Sequence, residues 1–168
     1  MHVGDDPSGP SDSAVDRGTP IRPSRPSSED AAHKNPTEPL LASIHVMSHV
    51  AGEANTFADW RGGMAGAKAQ LNNFATDAGP AAVIIGGDYN STPDMRQFRD
   101  LLTDGYRDAV EQTGAGFAPT FPSNTWYPPL LTIDHVLTRN AAASSIRTIE
   151  VPGSDHRALL ATIEVPTG

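Results

Sequence analysis

The stretch Ala81-Ala82-Val83-Ile84-Ile85-Gly86-Gly87-Asp88-Tyr89-Asn90-Ser91-Thr92-Pro93 carries more information than any other in this chain. It begins with an unbroken apolar run of strand length, the pattern of a buried strand. The run enters two glycines, which let a neighbouring backbone approach closely, and then delivers an acid and, two residues on, an amide. Open α/β sheets keep their sites at such carboxyl ends of strands. Thr92-Pro93-Asp94 has the form of an N-cap, a first-turn proline and an acid matched to the helix dipole. A helix is therefore predicted with Met95, Phe98, Leu101 and Leu102 facing inward and Gly105 ending it. At this point Asp88 and Asn90 have two readings, as residues of a site or as caps of the turn, a common task for both types.

On the N-terminal side, Leu41, Ala42, Ile44, Val46 and Met47 form a short apolar run that predicts a strand. Phe57, Trp60, Met64, Ala67, Leu71 and Phe74 then recur every three or four residues, the spacing of one helical face, with Thr56 as N-cap. On the C-terminal side a Pro-rich loop around 120–129 precedes three predicted strands, 131–137, 146–151 and 158–165. The order β-α-β-α-loop-β-β-β predicts an α/β fold, a mixed sheet with helices on its face. Residues 1–39 are different: seven of the 15 prolines lie there with six serines and few aliphatic side chains. Such a segment cannot bury enough apolar surface to offset its conformational entropy, so it is expected to be a disordered tail ahead of a domain spanning 40–168.

With 168 residues, one domain is expected. Acidic residues outnumber basic ones by 20 to 12, a net charge of −8, which disfavours a protein that grips long nucleic acid by neutralising phosphates. No cysteine is present, which removes thiolate nucleophiles and Cys-type zinc sites. No apolar run reaches membrane-spanning length and no basic start precedes an apolar stretch, so neither a membrane span nor a secretory signal is expected and the default location is cytoplasmic.

Two further polar stretches stand out. Ile133-Asp134-His135-Val136-Leu137 places a carboxylate in an apolar strand, where it needs a partner; a structural Arg and a catalytic dyad both satisfy that need. Gly153-Ser154-Asp155-His156-Arg157 precedes an alternating strand, and by composition it reads equally as a polar turn. Arg157 is expected to face solvent. His45 lies near the end of its strand, where a lone histidine is either a satisfied core residue or part of a site. Taken in order, a strand-end His, Gly-Gly-Asp-x-Asn-x-x-Pro, Ile-Asp-His-Val and Gly-Ser-Asp-His-Arg resemble the endonuclease/exonuclease/phosphatase superfamily, the deoxyribonuclease I-like metal-dependent phosphohydrolases. The resemblance covers roughly residues 40 to 166.

That resemblance implies roles for individual residues. Asp88 matches the acid that orients or deprotonates the attacking water, and Asn90 the amide that holds the scissile phosphate. Asp155 matches a divalent-metal ligand, His156 the imidazole that meets the phosphate, and Asp134 the carboxylate that orients it. His45 matches a histidine that hydrogen-bonds a phosphate oxygen, with His49 as its substitute. The implied cofactor is Mg²⁺ or Mn²⁺, weakly bound, and the implied substrate is a phosphate ester. Tyr89 stands where many relatives have Phe. The family's first half, with its strand ending in a metal-binding Glu, has no counterpart, since Glu29 and Glu38 lie in the Pro/Ser-rich segment. The expected architecture is therefore half of a four-layer α/β/β/α sandwich, mostly antiparallel, whose open face around Ile84, Val136 and Leu160 favours self-association or a complementary half. Two functions follow, a divalent-metal-dependent phosphoesterase or a truncated, non-catalytic remnant active only with that half.

Overall fold

A computed structural model describes residues 38–48 and 56–166. All but the last two residues of the expected tail, and His49, lie outside the described residues. Strand β1 (Leu40–His45) runs parallel to the central strand β2 (Val83–Asp88), with Leu40 opposite Val83 and His45 opposite Asp88. Parallel neighbours require a crossover, and helix α1 (Thr56–Ala78) lies in that connection. It ends at Gly79, whose φ of 57° is the left-handed conformation of a helix terminus. A short helix α2 (Arg96–Arg99), a two-residue strand β3 (Arg107–Asp108) and helix α3 (Ala109–Thr113) follow, and then strand β4 (Asp134–Arg139). β4 pairs antiparallel with both β2 and β3, giving a mixed sheet in the order β1-β2-β4-β3. Strands β5 (Ala142–Glu150) and β6 (Arg157–Glu164) form a separate antiparallel pair instead of extending that sheet.

The core is where the helical and strand periodicities meet. Trp60, Met64, Ala67 and Leu71 of α1 are buried in one cluster with Val83 and Ile85 of β2, Phe98, Leu101, Tyr106 and Leu137. Each large side chain removed from water contributes roughly 1.5–3 kcal/mol. The Tyr106 hydroxyl reaches in to donate to the Leu71 carbonyl (2.7 Å). Gly87 is required by contact: a Cβ there would lie 1.8 Å from the Ile44 carbonyl oxygen, so any side chain would force β1 away from β2.

Several sequence expectations change. Phe57 belongs to the predicted buried face of α1 but is 53% exposed, stacked on Trp60 at the helix start. The helix predicted from Thr92 contracts to four residues, because the Thr92 hydroxyl donates to Asp94 Oδ1 (2.5 Å) and Met95, in extended conformation, precedes the first helical residue. Phe98 and Leu101 are nevertheless fully buried, since the tighter turn still aims them inward. β2 is covered on one side only: Val83 and Ile85 are buried, Ile84 is half-buried, and on β1 Leu41 is 75% exposed. Arg157 is partly buried instead of facing solvent, with its Nε shielded and without a hydrogen-bond partner among the described residues. β3 and α3 have no counterpart in the sequence reading.

Candidate active site

Register alone gathers the first part of the site. β1 and β4 flank β2, and the pairing sets His45 opposite Asp88 on one side and Asp134 opposite Asp88 on the other. Three polar side chains thus share one row at the end of the sheet. Beyond Asp88 the chain turns through Asn90, whose φ of 46° is unusual for a residue with a side chain and is tolerated best by Asn and Asp. The turn is closed by Asp88 itself, whose Oδ1 accepts the Asn90 backbone N–H (2.8 Å). The Asn90 side-chain amide donates to the Val46 carbonyl (2.8 Å) and to Asp88 Oδ2 (3.2 Å). The turn reading of Asp88 and Asn90 is the one these bonds describe: the two residues close the turn, and in doing so they fix the Asp88 carboxylate at the end of the central strand.

His156 reaches this row from the turn before β6. Its Nδ1 lies 2.8 Å from Asp134 Oδ2, while its Nε2 is 3.9 Å from Asp88 Oδ2. His45 Nε2 lies at the same 3.9 Å from that oxygen, and the His45 side chain is 76% exposed, at the rim. The Phe121 ring packs against His156 with 4.9 Å between centroids, and the His156 backbone N–H donates to Ser154 Oγ (3.1 Å). Among the described residues Asp134 therefore has a histidine, and no structural arginine, as its partner. Asp155 is exposed and outside this group; its carbonyl accepts from the Ser123 N–H, and its charge acts on His156 through space.

The electrostatics follow from this crowding. Burial pushes the Asp88 carboxyl above the usual carboxylate range, against the Asn90 N–H that lowers it; Asp134 raises it further, while His156 and His45 oppose. For His156 burial works against the charged ring, but the Asp134 hydrogen bond and the charges of Asp134, Asp88 and Asp155 outweigh it and hold the imidazole above its usual range. Tyr89, buried beneath the site, has a hydroxyl with no hydrogen-bond partner among the described residues and an acidity suppressed by burial and by Asp108. Among the described residues one group has the spacing to hold a metal ion, Asp88, Asp134 and His156, whose ligand atoms lie within 4.8 Å of one another.

One support of the site was missed in the sequence. His135, the neighbour of Asp134 on β4, points into the core, with Nδ1 2.9 Å from Asp108 Oδ2 and Nε2 2.9 Å from the Ser91 carbonyl. Asp108 also caps α3 by accepting the Val110 N–H (2.9 Å). This chain of contacts anchors the segment that follows Asn90. Asp108 before Ala-Val-Glu is a legible N-cap; its pairing with His135 across the fold has no local signal.

The chain belongs to the endonuclease/exonuclease/phosphatase family: the model of that family matches residues 5–156, beginning within the Pro/Ser-rich segment. Solved structures share the fold at low identity. An endonuclease/exonuclease/phosphatase from Bacteroides vulgatus is 21% identical, with a TM-score of 0.53 over 65% of this chain and 45% of that one. A functionally unknown conserved protein from Enterococcus faecalis V583 is 17% identical, with 0.55 over 74% and 49%. Truncated TDP2 from Caenorhabditis elegans is 16% identical, with 0.56 over 76% and 55%. The chain thus spans about half the length of the solved structures it matches. No curated protein sequence matches it.

Proposed function

We propose that this site hydrolyses phosphate esters with the help of a divalent cation. The observation that carries the reading is the pair of imidazole nitrogens, His156 Nε2 and His45 Nε2, each 3.9 Å from Asp88 Oδ2. That gap is too long for a direct hydrogen bond, so both nitrogens are left unbonded to Asp88 in the space beside its carboxylate. A phosphate there meets an imidazolium that Asp134 holds in orientation and charge, which favours the negative charge growing on phosphorus oxygens. Asp88, fixed at the end of β2 by the turn through Asn90, is placed to orient an attacking water. Asn90 has both amide hydrogens committed, so it positions Asp88 in this arrangement; holding the phosphate requires it to release one of them.

The donor set fits a hard cation. Asp88 and Asp134 bring two carboxylates side by side, a repulsion that raises the Asp88 proton affinity and that a divalent ion relieves. Both would hold it through oxygen, with water completing the shell, as Mg²⁺ and Mn²⁺ accept. When bound, the ion supplies Lewis-acid polarisation of a phosphoryl oxygen. So few protein ligands imply weak binding. The net charge of −8 argues for a small phosphate ester over long nucleic acid.

A second reading also has an observation behind it. The chain spans about half the length of its structural neighbours, and Leu41 leaves an apolar face of the four-stranded sheet open at 75% exposure. In that reading the site turns over only when a complementary half, or a second copy, covers this face. The test is hydrolysis of an aryl phosphodiester and an aryl phosphomonoester by the chain alone and with the N-terminal half of a longer relative. The proposal expects Mg²⁺-dependent, chelator-sensitive turnover in at least one arm, lost in Asp88→Asn. Silence in both arms, or turnover indifferent to that substitution, contradicts it.

A further inference from the structure

From Gln112 to Ile133 the sequence contains no charged residue and no histidine, although the whole chain carries a net charge of −8. Inside this neutral stretch lies a loop closed at its base and open at its tip. The base is an antiparallel bridge between Phe121 and Leu131, with Phe121 N donating to the Leu131 carbonyl (3.0 Å) and Leu131 N to the Phe121 carbonyl (2.8 Å). It is fastened to the site: the Ser123 N–H donates to the Asp155 carbonyl (2.6 Å), the Arg157 N–H to the Thr120 carbonyl (2.8 Å), and the Phe121 ring packs on His156. Beyond the base, Thr125 Oγ1 donates to the Tyr127 carbonyl (2.9 Å) and Pro129 is buried, so the tip is a shaped turn.

What that turn displays is apolar. Trp126 is 96% exposed, edge-on to Tyr127 with centroids 5.5 Å apart, and Leu130 is 59% exposed. Tryptophan is ordinarily well buried, so an isolated, almost fully exposed indole on a fastened loop calls for an occupant. Nucleic acid fits poorly, because no cation lies in the stretch to meet phosphates. An anionic membrane fits poorly for the same reason. The combination that remains, Trp and Tyr beside Leu and Pro with no charge, is the composition of side chains that settle at a neutral lipid–water interface, where an indole is half solvated and half apolar. Among the described residues no helix is long and apolar enough to cross a membrane, so contact through this loop would be peripheral.

We propose that the loop tip, Trp126, Tyr127 and Leu130, docks the protein reversibly on a zwitterionic bilayer surface. A few side chains give weaker binding than the roughly 10⁴ M⁻¹ of a single acyl chain. The chain supplies its own reporter, because its two tryptophans differ completely: Trp60 is fully buried and Trp126 exposed. Phosphatidylcholine vesicles added to the full chain should shift tryptophan emission to the blue and protect it from acrylamide. The protein should float with these vesicles, and less with vesicles in which part of the lipid is anionic phosphatidylserine. Trp126→Ala and Leu130→Ala should each weaken flotation by roughly tenfold, the scale of one buried large apolar side chain. The Trp60 emission retained in Trp126→Ala reports that this variant is folded. Asp88→Asn should float like the unmodified chain, which separates docking from catalysis. Flotation that is absent, or unchanged in both loop variants, overturns the proposal. So does protection of Trp126 that appears with a single-stranded oligonucleotide or on raising protein concentration, with no response to phosphatidylcholine.

Discussion

Asp134 and His135 are neighbours on β4 with side chains on opposite faces, and each joins an aspartate–histidine pair: Asp134 to His156 at 2.8 Å, and His135 to Asp108 at 2.9 Å. The bonds are alike; what remains of each ring is not. His135 has no exposed side-chain surface, lies against Phe98 with centroids 3.9 Å apart, and meets the Ser91 carbonyl with its second nitrogen. Both nitrogens are spent on the protein, so the pair holds β3, β4 and the segment after Asn90 together. His156 is 25% exposed, and its second nitrogen faces Asp88 across a gap. In the proposed function the Asp134–His156 pair works because one nitrogen is left over beside a second carboxylate, whereas the His135–Asp108 pair is a fastener.

The largest effect is expected where the spare nitrogen is removed. His156→Ala should lower hydrolysis by roughly 10²- to 10⁴-fold, the usual scale for losing a positioned acid or base, while the chemical denaturation midpoint falls only slightly, by the stability that the His156 proton contributes. His135→Ala should invert this pattern. It leaves Asp108 buried without its partner, a change that typically costs about 3–5 kcal/mol, read from denaturant unfolding. If His135→Ala proved stable yet inactive, the core pair would be part of the chemistry and the comparison would fail. Asp134→Asn sits between them: it keeps His156 in place but weakens its orientation and charge, and roughly 10- to 100-fold in rate is expected from losing such a partner.

The smallest effect is on pH dependence. His156 holds its proton more tightly in the folded chain than an ordinary imidazole does. The stabilisation from that proton is fully present below the unfolded value of about 6.5 and is lost as pH rises through the folded value. Asp88, also raised, acts with the same sign further down the scale, from about 3.8 upward. The denaturation midpoint should therefore decline as pH rises above about 6.5, and His156→Gln should flatten that decline.

How much of this was legible depended on how local the cause was. β1 and β2 are visible as apolar runs of strand length and α1 by its 3.6-residue periodicity, and the acids and histidines at strand ends stand out beside those runs, although only the resemblance to the family gives them roles in a site. β3 and α3 are two and five residues long, too short for any periodicity. The short α2 misled the reading because Thr92 and Asp94 bond to each other, a choice between two local partners that composition does not decide. The burial of Arg157 and the exposure of Phe57 depend on what packs over them. The same is true of Asp134 and His135: their alternation on a strand predicts opposite faces, but only the tertiary fold assigns one to Asp108 and the other side to His156.

The most direct test of the difference between the two pairs is the response of the histidine ring resonances to inorganic phosphate in the presence of Mg²⁺, followed by NMR and assigned with single His→Gln variants among the six histidines. The account predicts that His156 shifts with phosphate, His45 follows, and His135 stays fixed throughout the titration. A His156 signal indifferent to phosphate, or a His135 signal that moves as far, would contradict it.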